Sequence, residues 1–283
     1  MIFGEVLPTI SYDDILLVPY HSDMKSRSEG NPQTAWGHSL PLIMSPMNTV
    51  CTGQMMKLFV DQHLIATIHR YFLSADEQYN FVNQQLKIAC FEHAKIEEED
   101  IDHITYDDQI IKKYIDNIYF SVGSVVKYKD WIDQLYKLGV RKFLIDMAHG
   151  DTSACGDTVE YIRSFGDRDV VKIIAGNVAT RGGYRRLRDA GADGIRVGIG
   201  GGSICSTRTS TGFGVPTLTS IIDCNDVKGD TFMIADGGIK NSGDIVKAIR
   251  FGADYVMCGK LLAGTEYGGG VLYNSFQQVI YEN

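Results

Sequence analysis

Short runs of β-branched and apolar residues recur along the chain, and several are followed by stretches whose apolar positions repeat at helical spacing. Eight runs are candidate strands: Pro41–Met47, Ile65–His69, Ile118–Val122, Lys142–Asp146, Val171–Gly176, Gly194–Gly198, Thr231–Asp236 and Tyr255–Gly259. Val171–Ala175 is apolar without alternation, as a parallel strand covered on both faces must be. Clear helices lie between the later runs. In Tyr128–Leu138, Trp131, Leu135 and Leu138 share a face, and Gly139 can close the end. In Ser242–Arg250, Ser242 can cap while Ile245, Ala248 and Ile249 turn inward. Strand and helix in alternation define βαβ units. Eight of them predict an α/β fold, a closed (β/α)₈ TIM barrel. An open doubly wound sheet is the alternative.

One stretch breaks the rhythm. Gln84–Asp116 is long and polar, with Glu97, Glu98, Glu99, Asp100 and Asp102 close together. It reads as a helical insertion on the barrel surface, and its acids as a solvated face. The chain is then one barrel domain over residues 1–283 with an insertion at about 84–116.

Length agrees, since 283 residues fit one barrel of roughly 250. No apolar run approaches the roughly 20 residues of a membrane helix, and Met1–Thr9 lacks a signal-peptide layout. The expectation is a cytoplasmic protein with no membrane partner. A net charge of −8 argues against a nucleic-acid partner, which needs a basic face. It does not exclude phosphate, which backbone N–H groups at helix starts bind at any net charge. None of the six cysteines forms a CxxC pair. All except Cys205 read as buried thiols.

In a barrel, chemistry gathers where strands end. The sixth run opens into Gly198–Arg208, with glycines at 198, 200, 201 and 202, then Ser203 and Cys205. The glycines let backbone approach a ligand closely, and their carbonyls could line a cation site. Ser203 suits a phosphate. Cys205 stands on a loop, where a thiol is more reactive than in a core. The seventh run ends in Asp236-Gly237-Gly238. There backbone N–H groups can meet phosphate, while Asp236 can accept from ribose hydroxyls or simply close a turn. Asp146, ending the fourth run, has the same two readings. His69 and His149 are acid–base candidates, with a structural role favoured for His69.

Together these segments closely resemble the IMP dehydrogenase/GMP reductase family. The resemblance rests on SYDDILLVP (11–19), SPMNTV (45–50), DMAHG (146–150), AGNVAT (175–180), GIGGGSICSTR (198–208), IADGG (234–238), SGDIVKA (242–248) and LLAGTE (261–266), in the family's order. It implies a purine-nucleotide oxidoreductase in which Cys205 attacks C2 of the base. Thr207 would handle the proton at the leaving group. Ser203, Gly238 and Gly259 would hold the phosphate, Asp236 the ribose and Met47 the base, with Gly237 and Lys260 also binding substrate. Asp146, Ala148 and Asn177 would face a nicotinamide cofactor, NADPH/NADP or NAD. Carbonyls of Gly200, Gly202 and Cys205 would hold potassium. The partner would be GMP or IMP, and the assembly a homo-oligomer, as in the family's tetramers.

The chain departs from the family's pattern at Gly201, where proline is usual, and at Asn48, where aspartate is usual. It also ends at Asn283, short of the family's flap and last helix, so a shortened C-terminus belongs to the expected architecture. In layout it is closest to a GMP reductase without the regulatory domain. Thr211–Gly214 and Ser26–Glu29 look reductase-like, while Ser45–Met47 and Ala263–Glu266 look dehydrogenase-like. The expected activity is GMP reductase. IMP dehydrogenase, and a truncated, weakly active or non-catalytic nucleotide-binding homologue, are the alternatives.

Overall fold

All eight apolar runs become strands in the computed structural model, which describes residues 9–94, 108–202, 205–269, 272–273 and 279–281. They are β1 (Leu42–Met44), β2 (Ala66–Ile68), β3 (Ile118–Val122), β4 (Lys142–Asp146), β5 (Lys172–Val178), β6 (Gly194–Val197), β7 (Phe232–Asp236) and β8 (Tyr255–Cys258). The order is β1-β8-β7-β6-β5-β4-β3-β2, with every neighbouring pair parallel. β1 and β2 close the ring through a parallel bridge between Ile43 and Ile65. The Met44 N–H donates to the Ile65 carbonyl at 3.2 Å, and the Thr67 hydroxyl to the Met44 carbonyl at 3.0 Å. The result is a nearly closed (β/α)₈ barrel. A short antiparallel pair, β9 (Leu272–Tyr273) and β10 (Val279–Tyr281), stands apart from its sheet.

The helices are α1 (Gly53–Asp61), α2 (Ala75–Ala94), α3 (Asp108–Ile115), α4 (Val125–Lys137), α5 (Ser153–Arg163), α6 (Arg181–Asp189), α7 (Thr207–Thr211), α8 (Thr217–Asn225), α9 (Ser242–Arg250) and α10 (Lys260–Ala263). Short polar side chains start many of them. Thr52, Ser124, Thr152 and Thr180 each accept a first-turn N–H of α1, α4, α5 and α6. The cap of α9 is Asn241, not Ser242: its side-chain oxygen accepts the Asp244 N–H at 3.1 Å, and Ser242 is the first helical residue. Ala248 is buried as expected, but Ile249 is exposed, because the inward stripe of so short a helix is narrow. α4 starts three residues before the predicted span and buries Ile132 and Leu135. Trp131, only half-buried, donates its indole N–H to Gln78 at 2.9 Å.

The insertion boundary expected at Gln84 falls inside α2, whose Val82 and Leu86 are fully buried. α3 buries Ile111 and Ile115. Both helices therefore belong to the outer layer, and the acidic stretch Glu97–Asp102 lies outside the described residues.

Two apolar layers hold the barrel. Ile43, Ile65, Tyr119, Leu144, Ile174, Phe232, Ile234, Tyr255 and Met257 fill the interior. A larger cluster lies between strands and helices, including Phe120, Phe143, Ile173, Ile195, Val197 and Ala235. Side chains alternate along each strand, so the residues two beyond the interior layer also point inward. At the strands' carboxyl ends those residues are polar, which is where the site begins.

Candidate functional site

Arg196 of β6 is charged yet only 6% exposed. Two carboxylates flank it. Its Nη1 donates to Asp146 Oδ1 of β4 at 2.7 Å, and its Nη2 and Nε donate to Asp236 Oδ2 of β7 at 2.8 and 3.1 Å. Burial alone would favour the neutral guanidine. Asp236 and Asp146 outweigh it and hold the group charged, above the ordinary arginine value. The lateral space comes from Gly176 of β5. A Cβ there would stand 2.6 Å from the Arg196 Cβ, so only glycine leaves room. Asn177 then donates its amide to the Gly198 carbonyl at 2.9 Å and to Asp236 Oδ2 at 2.7 Å. Arg70, following β2, approaches Asp146 Oδ2 at 3.5 Å and donates to the Tyr128 hydroxyl at 3.1 Å.

Four strand ends are thus tied into one polar wall. All bonds to Asp236 fall on Oδ2, and among the described residues none uses Oδ1.

Next to the wall, the loops after β6 and β7 press together. Gly237, at φ +96°, lies so close to the β6 loop that a Cβ would be 2.8 Å from Gly201 carbon and Gly202 nitrogen. Beneath them, the hydroxyls of Thr217 and Tyr12 are buried without a hydrogen-bond partner among the described residues. Tyr12 also lies within 3.3 Å of where a Gly238 Cβ would be. Met47 packs against Gly259, 2.9 Å from its missing Cβ. Lys260 is exposed and opens α10, and Ala148 and His149 are exposed after β4.

Cys205 is the one exposed cysteine, and its thiol donates to the Thr207 hydroxyl at 3.2 Å. Thr207 is the first residue of α7. Cys51, Cys90, Cys155, Cys224 and Cys258 are all buried. Burial pushes the thiols of Cys51, Cys155, Cys224 and Cys258 up to about 12, and that of Cys90 upward.

The expected site residues therefore converge on one mouth: Cys205 and Thr207 after β6, Asp236–Gly238 after β7, Gly259 and Lys260 after β8, Met47 after β1, Asp146 and Ala148 at β4, Asn177 in β5. Ser203 lies outside the described residues. His69 takes the structural role favoured for it. It is buried, stacks on Phe72 at 4.6 Å and accepts the Tyr71 N–H at 3.2 Å. Arg196 and Arg70 escaped sequence reasoning, although an arginine inside the apolar run Gly194-Ile195-Arg196-Val197 was a signal. Among the described residues no three His, Cys, Asp or Glu side chains form a metal cluster, so a cation here would rest on backbone oxygen. The Gly202 carbonyl already accepts the Cys205 N–H at 3.1 Å and has a second lone pair to give.

Fold and site define a barrel enzyme scaffold whose mouth pairs an exposed cysteine loop with a carboxylate–arginine wall. The family profile for the IMP dehydrogenase / GMP reductase domain matches residues 9–279, and the chain belongs to that family. GMP reductase of Buchnera aphidicola is 35% identical over 90% of this chain and 68% of its own length. GMP reductase of Staphylococcus carnosus is 34% identical over 92% and 72%. Inosine-5′-monophosphate dehydrogenase of Aquifex aeolicus is 46% identical over 53% of this chain, a match spanning only 31% of that protein. The crystal structure of inosine 5′ monophosphate dehydrogenase from Legionella pneumophila superposes with a TM-score of 0.74 at 34% identity, covering 96% of this chain and 76% of that one. Among the described residues no helix is long and apolar enough to cross a membrane.

Proposed function

We propose that the chain is a purine-nucleotide oxidoreductase acting at C2 of the base through Cys205, and that its reaction is the reduction of GMP to IMP and ammonia. The observation that carries this reading is Cys205 itself, the one exposed thiol, 3.2 Å from a threonine hydroxyl at the mouth that Asp236 lines. The reductase direction is favoured by two relatives named GMP reductase that align over nine-tenths of the chain. The crystal structure from Legionella pneumophila favours a second reading, IMP dehydrogenase.

In the reductase, the Cys205 sulfur forms a bond to C2 of GMP, the exocyclic C–N bond breaks, and the nitrogen leaves as ammonia. Thr207, which accepts the thiol's hydrogen bond, relays that proton to the leaving nitrogen. A nicotinamide cofactor, when bound, supplies hydride to C2. As the hydride arrives the C–S bond breaks, and Cys205 leaves as thiolate with IMP as product. In the dehydrogenase the Cys205 sulfur would bond to C2 of IMP, the C2 hydride would pass to an oxidised nicotinamide, and water would then displace the sulfur to give XMP.

The remaining residues bind and orient. Asp236 Oδ1 accepts from the ribose, while Arg196 and Asn177 hold that carboxylate in place. The backbone at Gly237, Gly238 and Gly259, with Ser203 and Lys260, receives the phosphate. Met47 packs on the base. Asp146, Ala148 and Asn177 fit the nicotinamide side, where strand ends β4 and β5 present polar groups beside the wall. Carbonyls of Gly200, Gly202 and Cys205 fit a potassium ion. A homo-oligomer is the expected assembly.

The test is turnover at 340 nm. GMP with NADPH should consume the reduced cofactor, and IMP with NAD should not produce it. The reverse pattern assigns the dehydrogenase. Nucleotide binding without turnover in either direction assigns a non-catalytic homologue.

A further inference from the structure

We propose that the opposite, N-terminal mouth of the barrel is a second binding site, for a small phosphorylated ligand that carries a planar ring. A cavity of about 320 Å³ lies there, within the size range of small-molecule sites. It is separate from the catalytic mouth. Lys142 and Asp146 begin and end the same five-residue strand, which sets the two ends about 13 Å apart.

Two lysines, Lys113 and Lys142, line this space together with His38 and His63, and among the described lining residues the one carboxylate is Asp61. Asp61 is already engaged by Lys57 at 2.6 Å and the Tyr114 hydroxyl at 2.8 Å. Lys142 donates to the neutral Asn117 side-chain oxygen at 2.8 Å and lies 5.9 Å from the centre of the Tyr119 ring, and among the described residues neither it nor Lys113 forms an ion pair. Two of the three Lys142 donors are therefore left for a ligand. Burial holds the Lys142 ammonium below its ordinary value. Asp116 opposes that shift, and Lys172 adds to it. Burial, then Lys142 and His63, act the same way on His38. Like charges gathered around one space repel, and a bound dianion removes the penalty.

An aromatic floor lies beside the cations. Trp36 stands 5.4 Å from Phe232 in an edge contact, Phe232 is 5.3 Å from Tyr255, and His38 bonds the Tyr255 hydroxyl at 2.6 Å. Trp36 lines the cavity and is 46% exposed, which leaves the residue accessible to a planar ring. His63 adds an independent sign. It follows α1 at φ +53°, the left-handed position where helices usually end in glycine. An imidazole is kept there, on the cavity wall, at a conformational cost that glycine would avoid.

The chain has two tryptophans, so Trp131→Phe leaves Trp36 as the reporter of this mouth. In that background, adenosine monophosphate, ribose 5-phosphate and inorganic phosphate are titrated while Trp36 fluorescence is followed. The expected result is a saturable change with adenosine monophosphate at least tenfold tighter than with ribose 5-phosphate. Lys142→Gln and Lys113→Gln should each weaken it at least threefold. His63→Gly should weaken it too while raising Tm, an opposite pair of effects that mere loss of folding cannot produce. A missing response, equal affinities for the two phosphate esters, or binding indifferent to all three variants would overturn the proposal. Turnover of GMP or IMP is read at the other mouth, so its outcome and this one fail separately.

Discussion

The carboxylate–arginine wall and the cysteine loop share one mouth but are built oppositely. Asp146, Arg196, Asn177 and Asp236 sit on strand ends, largely buried, with each carboxylate held by charged donors at 2.7–2.8 Å. Cys205, Ser206 and Arg208 are exposed, and among the described residues the thiol's hydrogen-bond partner is the neutral hydroxyl of Thr207. Asp236, which would hold the ribose, stands on a strand end tied to its neighbours, whereas the nucleophile stands on a glycine-flanked loop. Binding needs fixed geometry, while a nucleophile that makes and breaks a bond in each cycle needs freedom to move.

That contrast predicts separable effects. The largest is Cys205→Ala, expected to lower kcat/KM about a thousandfold or more while leaving Tm within about 2 °C. Steady-state assay and calorimetry on one preparation check it, and retained turnover would break the covalent account. Arg196→Met should act through the wall instead. It strands two half-buried carboxylates, and removing one partner of a buried pair costs about 3–5 kcal/mol. Denaturant unfolding measures that loss, and a neutral result would mean the wall is not structural.

Reactivity sharpens the comparison further. Brief iodoacetamide treatment followed by mass spectrometry should find Cys205 alkylated at least about tenfold faster than any other cysteine, since the rest are buried with thiols pushed upward. GMP or IMP should protect it. Labelling of Cys224 or Cys258 at the same rate would contradict this. Thr207→Val should be milder, about tenfold in kcat with KM little changed, read from saturation curves. The smallest effect concerns acid. Burial lowers the His69 pKa, so the neutral ring is favoured in the fold. Its stabilising contribution is present above the unfolded value of about 6.5 and is lost as pH falls below it. Tm should therefore decline from pH 7 to pH 5, and less so in His69→Gln.

How much of this was legible before folding depends on range. The eight strands were readable because each is a local apolar run, and α9 because its periodicity is local too. Its cap was misassigned by one residue, since Asn241 and Ser242 are both good caps and only backbone conformation chooses. Gln84 was placed at an insertion boundary because polar residues interrupt the pattern there. Burial of Val82 and Leu86 against neighbouring helices keeps α2 running through it.

The site was half legible. Glycines and polar residues at strand ends pointed to Cys205, Asp236 and Asn177, since the position of a residue after a parallel strand already implies the catalytic mouth. Arg196 was not found, because its meaning lies in Asp146 and Asp236, 50 and 40 positions away. By itself the sequence determined the period, order and polarity of the elements, and hence a barrel with its chemistry at one end. Tertiary structure alone decided which carboxylate meets which cation and that Gly176 makes room for Arg196. Periodicity is a local property of neighbouring residues, whereas ion pairing and burial are set by distances that only the closed barrel defines.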